Sequence, residues 1–399
     1  MTATSKAIVI GGGVIGLSTA YHLARRRFGR VVVFDKGPVG DGSSGRAAGI
    51  ITDHLWSEPG VLARKRSLEL YRELSQELVG YSFQGVGCLN LFDAASWKER
   101  KPLLPLYDRH SVPYEILDGE EMQRRWPALR PGDGFVGLHD PLGGYSEPDD
   151  YIPALARRAR ELGVEIRERE KVTGFVQRGG RVAGVRTAAG AEEGDAVIAT
   201  VYAWTKHVVE PLGLRLPVKC FVHQRWITRP LPAPPAIPAV NANPLFGYVR
   251  PATGGRLLAG LETPDRSEYE VPSSDFHQSE LTVGPELGAQ LRNYLTPLMP
   301  VLASTTWEER RVGLLTFSSD GEPILGPVAQ LPGFYVGLAF HSGGFAYNPV
   351  AGLLMAEYVA DGRPSIDIAS FSPDRFDPRE TEEFLASTIA QKDLPRRRH

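Results

Sequence analysis

The run Ile8-Val9-Ile10-Gly11-Gly12-Gly13-Val14-Ile15-Gly16 constrains this chain more than any other stretch. It reads as a buried strand, a glycine turn and the start of a helix, with Gly11, Gly13 and Gly16 in the G-x-G-x-x-G spacing. The first glycine permits a tight turn, the second lets a pyrophosphate approach the backbone, and the third lets helix and strand pack closely. A helix starting there aims its N-terminal N–H groups and positive dipole end at phosphates. Val14–Arg25 has the helical pattern, and Val31-Val32-Val33-Phe34 follows as a second strand. That strand ends in Asp35, about twenty residues past the glycines, where an acid bonds a ribose hydroxyl. Strand, turn, helix, strand and acid in this order predict a dinucleotide site, with NAD and FAD both open. The small, polar run Asp41–Ile51, containing Ser43-Ser44-Gly45-Arg46-Ala47-Ala48-Gly49, suits a backbone lying along a pyrophosphate and a flat ring.

Composition narrows the partners. The net charge of -2 gives no reason to expect nucleic acid, and Arg396-Arg397-Arg398 reads as a frayed terminus. Two cysteines, Cys88 and Cys220, cannot build a disulfide framework and point to a reducing, cytoplasmic setting. The N-terminus lacks a signal-peptide pattern, and no run of about 18 apolar residues predicts a membrane span. No metal site is expected.

Further along, Pro59–Gly80 reads as an amphipathic helix, Val86–Phe92 as a strand, Asp118–Arg125 as a short helix and Gly134–His139 as a strand. Asp149–Leu162 is a helix capped near Glu147-Pro148-Asp149, followed by a strand at Val164-Glu165-Ile166. Val172–Gln177, Arg181–Thr187 and Ala196–Thr200 form a β-rich block. Pro230–Pro238 is a rigid loop, and Tyr248–Leu261 and Thr305–Leu315 are strands of a second sheet. Strand Phe334–Leu338, turn Gly343-Gly344 and helix Val350–Ala360 then return to nucleotide-fold grammar. The expected class is α/β (α+β overall): a discontinuous, Rossmann-like nucleotide domain with an inserted β-sheet substrate domain. The expected boundaries are 1–85, 146–215 and 312–378 for the first, 86–145 and 216–311 for the second, and a tail at 379–399.

The chain resembles the FAD-dependent D-amino acid oxidase superfamily, nearest in appearance to its sarcosine and dimethylglycine oxidase/dehydrogenase branch. The resemblance runs to about Pro378. It is carried by IVIGGGVIGLSTAYHLARR, GSSGRAAGI, GGYSEPDDYIPALARRARELGV, VIATVYAWT, GYVRPATGGRLLAG, GLLTFSSDGEPILGP, HSGGFAYNPVAGLLMAEYVADG and SFSPDRF. It implies that Gly11, Gly13, Gly16, Asp35 and Lys36 hold the ADP half of FAD. Ser43, Ser44, Arg46, Ala47, Ala48 and Gly49 would lie along pyrophosphate and flavin, and Val172, in a strand, would meet the adenine. Asp320 and Gly321 would form a turn near the flavin ring. Gly343, Gly344 and Phe345 would open a helix facing the flavin N1/O2 edge. Where some members attach flavin through a histidine or a cysteine, this chain has Arg46 and Leu314-Leu315-Thr316, so the FAD is expected to be non-covalent.

On the substrate side the pattern departs from the family. An arginine for an amino-acid carboxylate is replaced by Leu315, a lysine after the last glycines by Ala346, and no lysine falls near Leu257–Ala259, where oxygen activation is placed. His223-Gln224 and Tyr248 do match, as an amine-binding base and an orienting hydroxyl. Arg250, Arg225 and His341 are further candidates for substrate anions. The expected function is oxidation of a secondary, tertiary or amino-acid-derived amine to an imine. The electron acceptor would be O2, a quinone or a carrier protein. The alternatives are a same-fold hydroxy-acid dehydrogenase or a non-catalytic FAD subunit of a larger complex.

Overall fold

A computed structural model describes residues 5–262 and 266–395. The Arg396-Arg397-Arg398 run lies outside the described residues. Among those described, one six-stranded sheet has the order Ile324–Pro327, Phe334–Leu338, Ala196–Ala199, Lys6–Ile10, Arg30–Phe34, Glu165–Arg167. All its neighbours are parallel except the edge pair Ile324–Pro327 and Phe334–Leu338. Its central strands are near-continuous β-branched runs because both faces are covered, one by helices Val14–Arg25, Pro148–Glu161 and Gly344–Asp361 and the other by strand residues such as Val182 and Val185. The three-stranded antiparallel sheet Gly174–Arg178, Arg181–Thr187 and Gly190–Glu193 sits beside it.

The second large sheet has eight strands: Trp307–Ser318, Val218–Thr228, Arg256–Leu261, Gly247–Ala252, Ala239–Ala242, Cys88–Phe92, Val136–Asp140, Glu115–Leu117. All its pairs are antiparallel except Ala239–Ala242 with Cys88–Phe92. Its helix side packs Leu291 and Leu295 of Glu286–Leu295 against Val240, Val249 and Leu261.

Several elements differ from expectation for physical reasons. Tyr248–Leu261 is a hairpin, not one strand, because Gly254 (φ 77°) and Gly255 (φ 69°) turn the chain. Ala196–Ala199 leaves the β-rich block and joins the parallel sheet beside Lys6–Ile10, as its unbroken apolar sequence AVIA requires. Val172 precedes strand Gly174–Arg178 and is not part of it. Val218–Thr228, whose polar members hide its alternation, and helix Glu286–Leu295 had not been anticipated.

The glycine-turn helix Val14–Arg25 packs on the long helix Gly344–Asp361. Gly352 permits that arrangement, since a Cβ there would lie 2.2 Å from Ser18 Oγ. Gly16 instead lets helix Val14–Arg25 close on its own turn, where a Cβ would lie 1.9 Å from the Gly11 carbonyl oxygen. Pro349 removes an N–H from the long helix and leaves the Phe345 carbonyl without its usual partner. Tyr71 Oη (2.5 Å) and Asn348 Nδ2 (2.6 Å) donate to that carbonyl instead. Helix Glu58–Glu77 thereby locks the first turn of the long helix, with Arg64 Nη1 on Gly343 O (3.2 Å) and Ser67 Oγ on Ala346 O (2.5 Å). No helix among the described residues is long and apolar enough to cross a membrane.

Candidate functional site

One cavity runs from the carboxyl ends of the parallel strands to the face of the eight-stranded sheet. In an open α/β sheet this is where ligands bind. At one end it is lined by Gly11, Gly13, Asp35, Lys36, Lys171 and Val172, and in the middle by Ser43, Ser44, Arg46, Ala47, Ala48 and Gly49. His341, Gly344 and Phe345 line it where the long helix begins. His223, Gln224, Asn241, Tyr248 and Glu262 line the far end.

The first end is a built anion and ribose cradle. Gly11 takes φ 107° and donates its N–H to Phe34 O (2.8 Å), which folds the turn onto the second strand. Asp35 Oδ2 accepts from Gly12 N (2.6 Å) and Oδ1 from Gly37 N (2.8 Å), so its carboxylate is fixed at the strand end. Burial raises its pKa, while these two N–H bonds and Lys36 pull it down. Helix Val14–Arg25 has no acidic residue in its first turn and no side-chain cap from Gly13. Val14 N–H donates instead to Ser44 Oγ (3.0 Å), so that hydroxyl lies where a phosphate oxygen belongs. Helix Gly344–Asp361 likewise begins with no acidic first-turn residue and no side-chain cap. Two helix N-termini at one cavity, glycines wherever a Cβ would intrude, and a carboxylate at the second strand tip fit FAD's pyrophosphate, ribose and ring.

Several candidates do other work than expected. Lys36 Nζ donates to Ser274 O (2.9 Å) and Phe276 O (2.5 Å) and sits 4.1 Å from the Trp204 ring centroid. It ties the 274–276 loop to the parallel sheet, and burial, with Lys171 adding to it, lowers its pKa to about 8. Gly16 and Gly343 support the walls from behind the lining. Asp320 and Gly321 do not line the cavity. Asp320 pairs with Arg375 (2.7 Å) and accepts from Ser318 Oγ (2.9 Å), which in turn is 3.2 Å from His341 Nε2. That turn therefore buttresses His341 from outside.

Arg250 is not a substrate-anion group here. It is fully buried, donates from Nε to Ala48 O (2.6 Å) and makes a two-pronged pair with Glu147 (2.9 Å each) over the Tyr145 ring. Its role is to pin the Ala47–Gly49 backbone against the cavity. Arg225, 2% exposed, also lies outside the lining; burial, then Arg311 and Arg250, press its pKa down to about 10. Leu315 does line the cavity, as an apolar wall. Leu257, Leu258 and Ala259 are core residues off the cavity, Leu258 packing against the lining residues Ala48 and Tyr248.

Tyr248 reaches the cavity because Gly260, opposite it in the sheet, has no side chain: a Cβ there would lie 2.0 Å from the ring. Burial raises the Tyr248 pKa, and the Glu262 carboxylate adds to it. His223 does not present a free lone pair. Arg266 Nη1 lies 2.6 Å from Nδ1, and Gln391 Oε1 lies 3.0 Å from Nε2.

Sequence reasoning missed Gln278, Asn241 and Glu262. Gln278 accepts from Leu314 N (3.1 Å) and bonds Ser43 Oγ (2.9 Å), joining the flavin loop to strand Trp307–Ser318. These residues come from loops and strand ends with no local motif. Asp53, His54 and Asp140 form a buried cluster away from the cavity. Burial and then the Asp140 charge push Asp53 well above the carboxylate range. His54 Nε2 is engaged with Pro113 O (3.1 Å), so the cluster reads as a neutral acid beside a turn-capping carboxylate.

The family described as FAD dependent oxidoreductase matches residues 6–358. The chain is 29% identical to 4-methylaminobutanoate oxidase (formaldehyde-forming) of Paenarthrobacter nicotinovorans over 93% of its own length but only 45% of that protein. It is 27% identical to sarcosine oxidase subunit beta of Rhodobacter capsulatus, over 92% of this chain and 88% of that one. The fold superposes on L-proline dehydrogenase from P. horikoshii with a TM-score of 0.85 and 26% identity, covering 94% of this chain and 98% of that chain.

Proposed function

The chain belongs to the FAD dependent oxidoreductase family, and on that premise we propose that it oxidises a secondary or tertiary amine, or an amino-acid-derived amine, to an imine. The observation that carries this reading is the continuity of the cavity: the same space touches Gly13, Asp35 and Ser44 at one end and Tyr248, His223 and Glu262 at the other. FAD bound there supplies a two-electron acceptor for the hydride on the carbon next to nitrogen. The chain's own residues do the rest. The glycine turn and Asp35 hold the nucleotide, and Ser44 and Arg46 border its phosphates. Tyr248 orients the amine through its hydroxyl. Glu262 places a negative charge at the same end, which favours the approach of a protonated amine; the amine gives up that proton to water before its nitrogen lone pair forms the C=N bond as the hydride leaves. His223 forms the adjoining wall. Leu315 lines the cavity as an apolar group, which favours substrates gripped through nitrogen and methyl groups over those gripped through a carboxylate alone.

A second reading concerns the acceptor. The chain spans under half the length of 4-methylaminobutanoate oxidase, and another relative is one subunit of an enzyme. Both relatives are named as oxidases, so O2 stands beside a quinone or carrier protein as the acceptor to be compared. The test of both is anaerobic absorbance of the FAD-loaded chain mixed with a panel of N-methyl amino acids, proline, and amines lacking a carboxylate. Bleaching by one amine class is expected; no bleaching by any amine, with bleaching by a hydroxy acid, would transfer the assignment to the dehydrogenase alternative. The rates at which air and a quinone reoxidise the bleached enzyme then decide between the two acceptors.

A further inference from the structure

The buried pair of Arg250 and Glu147 does more than join two segments. Arg250 donates from Nε to Ala48 O (2.6 Å), from Nη1 to Glu147 Oε1 (2.9 Å) and Pro251 O (2.6 Å), and from Nη2 to Glu147 Oε2 (2.9 Å). Its plane is therefore fixed. A buried ion pair adds little net stability over apolar residues of similar size, so stability alone does not account for a guanidinium at this place. What it touches is the backbone of the loop that lines the cavity. Ala48 and Gly49 are lining residues and Arg250 is not, so their shared peptide stands between the guanidinium and the cavity. That peptide is trans, and Gly49 N–H points the opposite way from Ala48 O, away from Arg250. Gly49 O is held in turn by Ser146 N–H (2.9 Å), and a Cβ on Gly49 would lie 2.0 Å from Ser146 O.

Neither Ala48 N–H nor Gly49 N–H finds an acceptor among the described residues. A buried backbone donor needs a partner, and here it must come from the cavity side. Ser44 marks the phosphate region through its bond to Val14 N–H, while Ala48 packs with Leu258 beside Tyr248 at the far end. A dinucleotide with its ribose at Asp35 and its phosphates at Ser44 therefore brings its ring to Ala48 and Gly49. A guanidinium on a peptide oxygen draws electron density toward that oxygen and leaves the N–H a stronger donor. We propose that Arg250 is a positioning residue that raises the reduction potential of bound FAD: with Glu147 it fixes and polarises the Ala48–Gly49 peptide, so that Gly49 N–H donates to the flavin ring and does so more strongly when the ring is reduced. The proposal rests on FAD binding and not on the identity of the substrate, so it stands or falls apart from the amine reading.

The experiment measures the potential of FAD bound to the full chain, by anaerobic equilibration with a reference dye. Relative to free FAD, that potential reports the ratio of affinities for the reduced and oxidised forms. Removing Arg250 alone would strand Glu147 in the interior, so the variant is Arg250→Met/Glu147→Gln. Its reduced-to-oxidised affinity ratio should fall about tenfold, the size of one lost hydrogen bond, which lowers the potential by about 30 mV. Its affinity for oxidised FAD should stay within about threefold of the parent, which also shows that it folds. Glu147→Gln alone should move the potential upward, because Arg250 still holds Ala48 O and its charge is no longer offset. A pair that served packing alone would not shift the two variants in opposite directions. An unchanged potential in the double variant overturns the proposal. So does an equal fall of both affinities, which would assign the peptide to the pyrophosphate. Should the double variant fail to fold, Glu147→Gln decides alone, and a potential at or below the parent's overturns the proposal.

Discussion

At the residue scale, two positions separate cofactor binding from substrate handling. Asp35 presents a carboxylate pinned by Gly12 and Gly37 N–H groups, so no reorganisation is needed when a ribose arrives. Asp35→Ala removes a charge-assisted hydrogen bond of about 1.5–3 kcal/mol and should weaken FAD binding roughly tenfold or more, read by fluorescence titration of the apoprotein. Unchanged affinity would mean that the ribose lies elsewhere. Gly260 makes the opposite case. Its Cβ would lie 2.0 Å from the Tyr248 ring, so Gly260→Ala must displace that ring. Overpacking of this kind costs about 1–3 kcal/mol of stability, and flavin reduction should slow about tenfold while FAD affinity holds. In Gly260→Ala/Tyr248→Ala the stability loss from overpacking should vanish, because nothing remains to clash. The glycine fingerprint and Asp35 were legible in the sequence because their geometry is local. The pairing of Gly260 with Tyr248 was not, since it needs the register of a hairpin that the sequence reads as one strand. Arg250 shows the same limit: a buried arginine and a substrate arginine look alike until Glu147, a distant partner, is placed beside it.

At the element scale, the cavity walls are held by contacts between segments far apart in sequence. The Arg250–Glu147 pair joins the hairpin strand to the start of helix Pro148–Glu161 and clamps Ala48 O. Burial works to raise the Glu147 pKa, but the Arg250 bonds outweigh it and hold the carboxyl below its ordinary value. A depressed folded-state pKa gives stability that is complete above the unfolded value, about 4.5, and is lost as pH falls through the folded value. Urea unfolding of the protein should therefore weaken between about pH 5 and pH 3, and Glu147→Gln should flatten that limb. A limb of equal steepness in the variant would assign acid lability to other carboxylates, Asp149 with Arg311 first. Elements with strong periodicity, such as Val14–Arg25 and Pro148–Glu161, were readable from sequence. Strand Val218–Thr228 was not, because Lys219, Gln224 and Arg225 are polar residues that only the folded sheet buries. The segment 387–394 reads as a tail in the sequence because its anchors, Lys219 and Glu268, sit more than a hundred residues away.

At the scale of the whole molecule, the cavity is shared by two sheets and two helix N-termini, so cofactor binding and global stability are coupled. A ligand that binds only the folded state stabilises it by about 2.7 kcal/mol at a hundredfold excess over Kd. FAD should thus raise the melting temperature of the apoprotein, with both sheets melting in one transition. The mode of attachment follows from what lines the cavity. Arg46 stands at the loop position where a histidine would be needed for attachment, its Nη1 committed to Asp41 O and Gly42 O. Cys220, whose thiol is pushed up to about 12 by burial and then Glu268, and Cys88, buried at the start of a strand of the second sheet, are not lining residues. A thiol held protonated is a poor nucleophile toward a flavin methyl group. His223 and His341 are both engaged through their rings, with Gln391 and Arg266 in one case and Ser318 in the other. FAD should accordingly be held by hydrogen bonds, helix dipoles and packing alone, and acid precipitation, which unfolds those contacts together, should leave all the yellow colour in the supernatant. Flavin retained in the pellet after washing would refute non-covalent attachment, and a peptide map would then identify the bonded residue, with His277 the lining histidine to examine first.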